Sequence, residues 1–261
     1  MTLSQLQSLA RREPLTMLTC YDASFAAMMA RANIDALLVG DSLGMVVQGH
    51  PTTLPVSLQD MIYHTACVAR GAPERFILAD LPFGSYQASP GQALESSAAL
   101  MAAGAHMVKL EGGEPMLETV SFLSRRGIPV CAHVGLTPQS VHALGGYKMQ
   151  GKNVGDAERI LNDAISLESA GADMIVLEAI PAKLAARISE TLTIPTIGIG
   201  AGAECDGQVL VLYDMLGIYW GKPPSFVRNF MKDGVTGIEM ALRSFVEDVK
   251  ARRFPGPEHA Y

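Results

Sequence analysis

The stretch Leu38-Val39-Gly40-Asp41-Ser42-Leu43-Gly44 joins a short apolar run to a cluster of polar side chains. Residues 36–39 are all apolar, which is typical of a strand that is buried on both faces of a parallel sheet. Asp41 and Ser42 follow that run directly, between two glycines. Because a buried carboxylate is costly unless it is paired, Asp41 is either the cap of a turn or part of a functional site.

Four further apolar runs along the chain also end in an ionisable side chain. The side chains at these run ends are Asp80, Glu111, His133 and Glu178. A single polar side chain after an apolar run is compatible with a turn, but five such side chains in one sequence indicate a shared site. Parallel strands bring their carboxyl ends to the same edge of a sheet, and this is where such a site is expected.

Predicted strands and helices alternate along the whole sequence. Strands are predicted over residues 15–19, 37–39, 76–80, 107–110, 130–134, 174–177, 196–199 and 208–213. Helices are predicted over residues 24–32, 57–70, 90–103, 114–126, 156–170 and 181–191, and the last helices over 226–252. This alternation predicts a single α/β domain over residues 1–261, a (β/α)8 TIM barrel with a short, flexible C-terminal tail at 254–261.

A doubly wound open sheet is the alternative fold. Such a sheet normally carries a glycine-rich cofactor loop after its first strand, and residues 20–23 (CYDA) do not form one. The closed barrel is therefore favoured over the open sheet.

Composition and charge narrow the possible partners and the compartment. The net charge is −6 and there is no dense Lys/Arg block, which argues against nucleic acid or an anionic membrane surface as the main partner. The four cysteines are widely spaced, as expected of free thiols in a reducing compartment. No apolar segment is long enough to cross a bilayer, and the N-terminal residues do not resemble a secretory signal. These features predict a cytoplasmic protein.

Three of the carboxylates that follow apolar runs lie at the ends of consecutive predicted strands. They are Asp41, Asp80 and Glu111. Brought together at the mouth of a barrel they would repel one another unless a cation neutralised them. Hard oxygen ligands favour Mg²⁺. Lys109 lies two residues before Glu111 and hence on the same side of its strand. It is either a structural ion-pair partner or a functional group that holds a substrate carboxylate or stabilises an enolate, and its neighbours favour a functional role.

Glu178 and His133 have several possible roles. Glu178 follows the apolar run 174–177, so partial desolvation is expected, an environment that suits a general base. The alternative for Glu178 is a structural pair with a neighbouring cation. His133 could equally be an accessory hydrogen-bond donor, a substrate contact or a core histidine with satisfied hydrogen bonds.

The sequence contains several longer, distinctive motifs, which are VGDSLGMVVQGH (39–50), LADLPFGSY (78–86), MVKLEGGE (107–114), AHVGLTPQSV (132–141), GGYKMQG (145–151), LEAIPA (177–182), IGIGAG (197–202) and FPGPEHAY (254–261). These motifs resemble those of the ketopantoate hydroxymethyltransferase family. The resemblance runs nearly end to end. It implies a TIM-type barrel of the pantothenate pathway that assembles as a homodecamer of two pentameric rings.

The resemblance also implies roles for individual residues. It places the Mg²⁺ ligands at Asp41, Asp80 and Glu111, substrate contacts at Asp41, Ser42, Asp80 and Lys109, and the proton acceptor at Glu178. The expected reaction is proton loss from C3 of 3-methyl-2-oxobutanoate to give a Mg²⁺-stabilised enolate. The enolate would then attack the methylene carbon of 5,10-methylenetetrahydrofolate, giving 2-dehydropantoate and tetrahydrofolate.

Two other functions fit the same residues. One is a carboxylate-metal barrel of the phosphoenolpyruvate mutase and isocitrate lyase kind, which acts on 2-oxo acids or phosphoenolpyruvate and needs no folate. The other is a barrel that binds a small acid without catalysis. Folate dependence distinguishes the first, and metal-dependent proton exchange on the substrate would exclude the second.

Overall fold

The computed structural model of the chain describes residues 1–219, 221–232 and 234–261. Its parallel strands pair in chain order, and β8 closes the barrel by pairing with β1. The strands are β1 (Leu15–Thr19), β2 (Ala36–Val39), β3 (Phe76–Asp80), β4 (Met107–Glu111), β5 (Val130–Gly135), β6 (Met174–Glu178), β7 (Thr196–Ile199) and β8 (Gly207–Leu210). The predicted eight-stranded parallel barrel is confirmed.

Helices follow the strands and form the outer layer. The α-helices are α1 (Leu3–Ala10), α2 (Ala23–Arg31), α3 (Leu43–Val46), α4 (Leu58–Gly71), α5 (Pro90–Ala102), α6 (Leu117–Ser124), α7 (Val154–Ala170), α8 (Ala182–Thr191), α9 (Leu212–Met215) and α10 (Ile238–Lys250). Short 3₁₀ turns lie at Glu114–Met116, Pro138–Ser140 and Pro257–His259. Every residue of β1 to β4 is buried, since one face of each strand points into the barrel and the other packs under helices.

The structure corrects three predictions of the sequence analysis. Strand β8 ends at Leu210 instead of residue 213, and the chain then turns into the short helix α9. In the stretch 226–252, predicted to be helical, the helix found is Ile238–Lys250, and Asp233 lies outside the described residues. The segment 254–261, which was predicted to be a flexible tail, is packed against the barrel. Phe254 is buried, and the Ala182 N–H donates to the Tyr261 carbonyl at 2.8 Å.

The strand register brings together the ionisable side chains at the ends of the strands. Asp80 on β3 pairs with Lys109 on β4, and Glu111 on β4 pairs with His133 on β5. Further round the barrel, Gly135 pairs with Glu178 of β6. Gly135 has a φ of 95°, and a Cβ there would lie 2.3 Å from the Glu178 carbonyl oxygen, so only glycine allows this close approach. All of these residues lie at the carboxyl end of the barrel.

All four cysteines are free thiols, as predicted, namely Cys20, Cys67, Cys131 and Cys205. Within the described part of the chain, no helix combines the length and the apolar character needed to span a bilayer.

Candidate active site

A cavity of about 850 Å³ opens at the carboxyl end of the barrel. All seven residues singled out in the sequence line it, namely Asp41, Ser42, Asp80, Lys109, Glu111, His133 and Glu178. The strands therefore bring every one of them to one place. Ser42 sits at the start of the turn into α3, and its Oγ lies 2.9 Å from the Tyr21 hydroxyl oxygen.

Asp80 and Lys109 form a buried ion pair at the base of the cavity. Lys109 Nζ lies 3.1 Å from Asp80 Oδ1, and the two side chains are 6% and 4% exposed. Burial alone would lower the pKa of Lys109, but the carboxylates of Asp80, Glu111 and Asp41 outweigh it and raise that pKa. Lys109 is therefore a fixed cation inside the site.

His133 lies between two carboxylates. Its Nδ1 is 3.6 Å from Glu111 Oε1, and its Nε2 is 3.3 Å from Glu178 Oε2. Burial and the Lys109 ammonium disfavour the imidazolium, but the neighbouring carboxylates of Glu111 and Glu178 outweigh them and raise the pKa of His133 to about 9. Glu178 is the most exposed of these groups, with 14% of its side chain accessible from the cavity.

Gln139 is a site residue that the sequence analysis missed. It lies in the 3₁₀ turn after β5, in a stretch for which neither a strand nor a helix was predicted. Its Nε2 donates to Asp41 Oδ2 and to the Leu81 carbonyl, each at 2.9 Å, and its backbone N–H donates to Glu111 Oε2 at 2.9 Å. The Tyr86 hydroxyl donates to Gln139 Oε1 at 2.7 Å, which fixes the orientation of the amide.

We use the term carboxylate cluster for Asp41, Asp80 and Glu111. One oxygen of each member accepts a hydrogen bond from a protein N–H. Asp80 Oδ2 accepts from the Asp41 N–H at 3.0 Å, Asp41 Oδ2 accepts from the side chain of Gln139, and Glu111 Oε2 accepts from the backbone N–H of Gln139. The remaining oxygen of each carboxylate is left for another partner. For Asp80 this is Oδ1, which is buried and has the Lys109 ammonium nearby but no aligned hydrogen-bond donor.

The charge of the carboxylate cluster favours a bound cation. Burial and the charges of Asp80 and Glu111 raise the pKa of Asp41 well above its usual range. The pKa of Asp80 is also raised, by burial, although Lys109 opposes the shift. The three buried carboxylates face Lys109 and, at Glu111, the imidazolium of His133, so a net negative charge remains that a divalent cation would neutralise.

The donor atoms also suit such a cation, because carboxylate oxygens are the ligands that Mg²⁺ prefers. Among the described residues, no three His, Cys, Asp or Glu side chains converge as a preformed ligand sphere. Mg²⁺ tolerates this, since it usually keeps several of its waters and takes only one or two carboxylates directly. The site therefore fits Mg²⁺ by charge and by donor type.

Replacing Gln139 by leucine should weaken metal binding. Leucine is similar in size but cannot donate to Asp41 Oδ2, so that carboxylate loses the partner that orients it. Loss of a partner that orients a metal ligand typically costs about 10–100-fold in metal affinity. We expect a loss of that size for Mn²⁺ used as a Mg²⁺ substitute, measured by electron paramagnetic resonance titration.

Gln87→Leu is the matched control. Gln87 also donates to Gln139 Oε1, at 3.1 Å, but it has no hydrogen bond to the carboxylate cluster. We expect its Mn²⁺ affinity to stay within about threefold of the wild type. Equal Mn²⁺ affinities in Gln139→Leu and the wild type, with matching melting temperatures, would contradict the role assigned to Gln139.

Solved structures of other proteins have the same barrel fold. Phosphonopyruvate hydrolase, in a complex with oxalate and Mg²⁺, superposes with a TM-score of 0.62 at 14% identity over 81% of each chain. A 2,3-dimethylmalate lyase, described as a member of the PEP mutase/isocitrate lyase superfamily, superposes with a TM-score of 0.61 at 18% identity over 83% of each chain. At these identities the similarity establishes the fold alone.

Sequence similarity establishes the family. The family model for ketopantoate hydroxymethyltransferase matches residues 1–257. A 3-methyl-2-oxobutanoate hydroxymethyltransferase from Nitrosospira multiformis is 60% identical over 249 residues, which cover 95% of this chain and 94% of the relative. One from Neisseria gonorrhoeae is 59% identical over 261 residues, covering 100% of this chain and 98% of the relative. The chain belongs to the ketopantoate hydroxymethyltransferase family.

Proposed function

We propose that this chain transfers a hydroxymethyl group to 3-methyl-2-oxobutanoate in pantothenate biosynthesis, with 5,10-methylenetetrahydrofolate as the one-carbon donor. One water is consumed, and the products are 2-dehydropantoate and tetrahydrofolate. The observation that carries the proposal is the convergence of the carboxylate cluster, Lys109 and Glu178 in one cavity of a chain of this family.

The carboxylate cluster is proposed to hold one Mg²⁺ per subunit. When bound, the metal would supply Lewis acidity that polarises the 2-oxo group and makes the C3 hydrogen more acidic. The chain itself contributes the fixed orientation of Asp41, Asp80 and Glu111. Because these side chains are already in place, no free energy is spent on reorienting them during the reaction.

Lys109 and Ser42 are proposed to bind the oxo acid. The Lys109 ammonium is buried in the cavity wall, where water screens its attraction for an anionic substrate only weakly. The hydroxyl of Ser42 is held by the Tyr21 hydroxyl and can orient a substrate oxygen. Asp41 and Asp80 would also contact the substrate from the base of the cavity.

Glu178 is proposed as the general base. It is a carboxylate of the site that lies outside the carboxylate cluster, at the end of β6, and it remains partly accessible from the cavity. The contact between His133 Nε2 and Glu178 Oε2 would orient the carboxylate, so we propose His133 as an accessory, positioning residue. A base on β6 can take the C3 proton without displacing the groups on β2 to β4.

The proposed activity is tested by following product formation directly. The purified chain is incubated with 3-methyl-2-oxobutanoate, Mg²⁺ and ¹³C-labelled 5,10-methylenetetrahydrofolate, and 2-dehydropantoate is detected by mass spectrometry. We expect labelled product only when all three components are present. Turnover of the oxo acid without any folate would instead favour a lyase or mutase, and binding without turnover would favour a non-catalytic barrel.

We also propose that the chain assembles as a decamer. Large apolar side chains are exposed on the described surface, among them Tyr63 (65%), Phe83 (50%) and Val154 (80%). Multi-angle light scattering should give about ten times the 27.8 kDa chain mass. A mass near that of one chain would contradict the proposal.

A further inference from the structure

The cavity is larger than the proposed oxo acid requires. Its volume of about 850 Å³ lies near the upper end of ligand pockets, which usually measure about 300–1,000 Å³. The carboxylate cluster and Lys109 take up the side formed by β2 to β4. The opposite side, which we call the β8 wall, consists of Leu210, Asp214, Ile218 and Phe226. The chemistry described above uses none of the residues in this wall.

Asp214 is an unpartnered carboxylate in the β8 wall. Within residues 1–219, 221–232 and 234–261, no N–H or O–H group donates to it, and no cation pairs with it. Burial raises the pKa of its carboxyl group to about 6, with no compensating charge. A carboxylate left partly desolvated without a donor is costly, so its position indicates a ligand that supplies the missing hydrogen bonds.

The position of Asp214 is tied to the oxo-acid site. The Leu212 N–H, at the start of α9, donates to Thr19 Oγ1 at 2.9 Å. The Tyr213 ring packs against Tyr21, with 5.9 Å between the ring centroids. The hydroxyl of Tyr21 in turn contacts Ser42. Helix α9 is therefore held against the loop that carries Asp41, and Asp214 lines the same cavity as the carboxylate cluster.

We propose that Asp214 binds the pterin ring of the folate donor, a role that rests on the proposed function. The pyrimidine edge of a reduced pterin presents a ring N–H and an adjacent amino group, both donors, side by side. A carboxylate is acceptor-only and can receive both bonds at once. The apolar side chains of Ile218 and Phe226 in the same wall suit the faces of the ring.

This arrangement would set the two substrates on opposite sides of one cavity. The oxo acid would lie on the carboxylate cluster, and the pterin would lie on the β8 wall, so that the one-carbon unit faces C3 of the acid. The proposal assigns a recognition role to Asp214 and no role in proton transfer.

The test compares the wild type with Asp214→Asn, using each half of the folate molecule as a probe. Asparagine keeps the shape of the side chain but offers one acceptor and one donor, so one of the pterin hydrogen bonds is lost and a donor faces a donor. We expect inhibition by tetrahydropterin, and the affinity for tetrahydrofolate measured by anaerobic calorimetry, to weaken by about 10- to 100-fold. The affinities for 3-methyl-2-oxobutanoate and for p-aminobenzoylglutamate should change less than twofold.

Asp173→Asn is the matched control. Asp173 is also a partly buried carboxylate, but it precedes β6 at the amino end of the barrel, and its Oδ2 accepts from the Val130 N–H at 3.1 Å. This variant should bind tetrahydrofolate as the wild type does. A second comparison is independent of folding, because a tetrahydropterin that lacks the 2-amino group should bind the wild type about tenfold more weakly than tetrahydropterin itself.

Three outcomes would overturn the proposal, and they are distinguishable. Unchanged tetrahydropterin inhibition in Asp214→Asn would remove Asp214 from the pterin site while leaving the proposed function intact. Equal binding of the two tetrahydropterins to the wild type would do the same. A wild type that binds the oxo acid but neither tetrahydrofolate nor tetrahydropterin would overturn the folate donor, and the Asp214 assignment with it.

Discussion

Glu178→Gln should bind Mg²⁺ and 3-methyl-2-oxobutanoate about as well as the wild type but should exchange the C3 hydrogen of the substrate far more slowly. Glutamine keeps the size of the side chain but cannot accept a proton at neutral pH. A positioned general base typically contributes about 10²–10⁴-fold, or roughly 3–5 kcal/mol of barrier. We expect a loss of that size in the exchange rate in D₂O, followed by NMR of the C3 hydrogen, and a parallel loss of overall turnover.

The control for this variant is Glu190→Gln, which makes the same change of charge at an exposed position of α8. It should exchange the C3 hydrogen at the wild-type rate. If Glu178→Gln and the wild type exchanged at equal rates, the base would have to be another residue.

Asp80→Asn should lose most of its metal affinity and nearly all activity. The substitution removes one charge from the carboxylate cluster and replaces an anionic oxygen ligand with a neutral one. Changing a group that merely orients a ligand costs about 10–100-fold in metal affinity, so we expect the loss of a ligand charge to cost at least about 100-fold. Calorimetric titration with Mg²⁺ and Mn²⁺, with and without the oxo acid, measures the effect.

The fold of Asp80→Asn should persist. The asparagine oxygen can still accept from the Asp41 N–H, and Lys109 keeps the carboxylates of Asp41 and Glu111 as counter-charges. A melting curve checks this point. Asp22→Asn serves as the control, because Asp22 caps α2 and asparagine is an equally good N-cap. Unchanged Mg²⁺ dependence in Asp80→Asn would remove Asp80 from the metal site.

Much of the barrel could be predicted because its strands are continuous apolar runs. In a closed parallel barrel both faces of a strand are buried, so β3 and β7 appear in the sequence as unbroken segments with clear ends. The site residues at the strand ends could be predicted for the same reason, since a charged side chain directly after an apolar segment is easily recognised in the sequence. Their convergence then follows from the parallel topology.

Helix α1 was not predicted, although a local signal for it exists. Thr2 and Gln5 form a capping box, in which the Thr2 hydroxyl accepts from the Gln5 N–H and Gln5 Oε1 accepts from the Thr2 N–H. The spacing of these two residues could have indicated a helix start. The polar character of the first residues concealed it, because the helix buries little besides Leu6.

Gln139 and Asp214 could not be identified as site residues in the same way. Gln139 follows no apolar run, and its role arises from contacts to Asp41, Leu81 and Tyr86, which lie far away in sequence. Asp214 follows a stretch in which β8 continues without a visible break into the apolar residues of α9. In both cases tertiary packing, which no local pattern encodes, brings the side chain to the site: Gln139 to the carboxylate cluster and Asp214 to the cavity wall.

The central claim is that the carboxylate cluster holds a divalent cation and the oxo acid together. A crystal structure of the chain with Mn²⁺ and 2-dehydropantoate, with an anomalous difference map recorded for manganese, tests it most directly. We predict one anomalous peak per subunit among Asp41, Asp80 and Glu111, with the keto and carboxylate oxygens of the product on the metal and Lys109 in contact with the product. An anomalous peak elsewhere in the barrel, or product bound away from these residues, would contradict the claim.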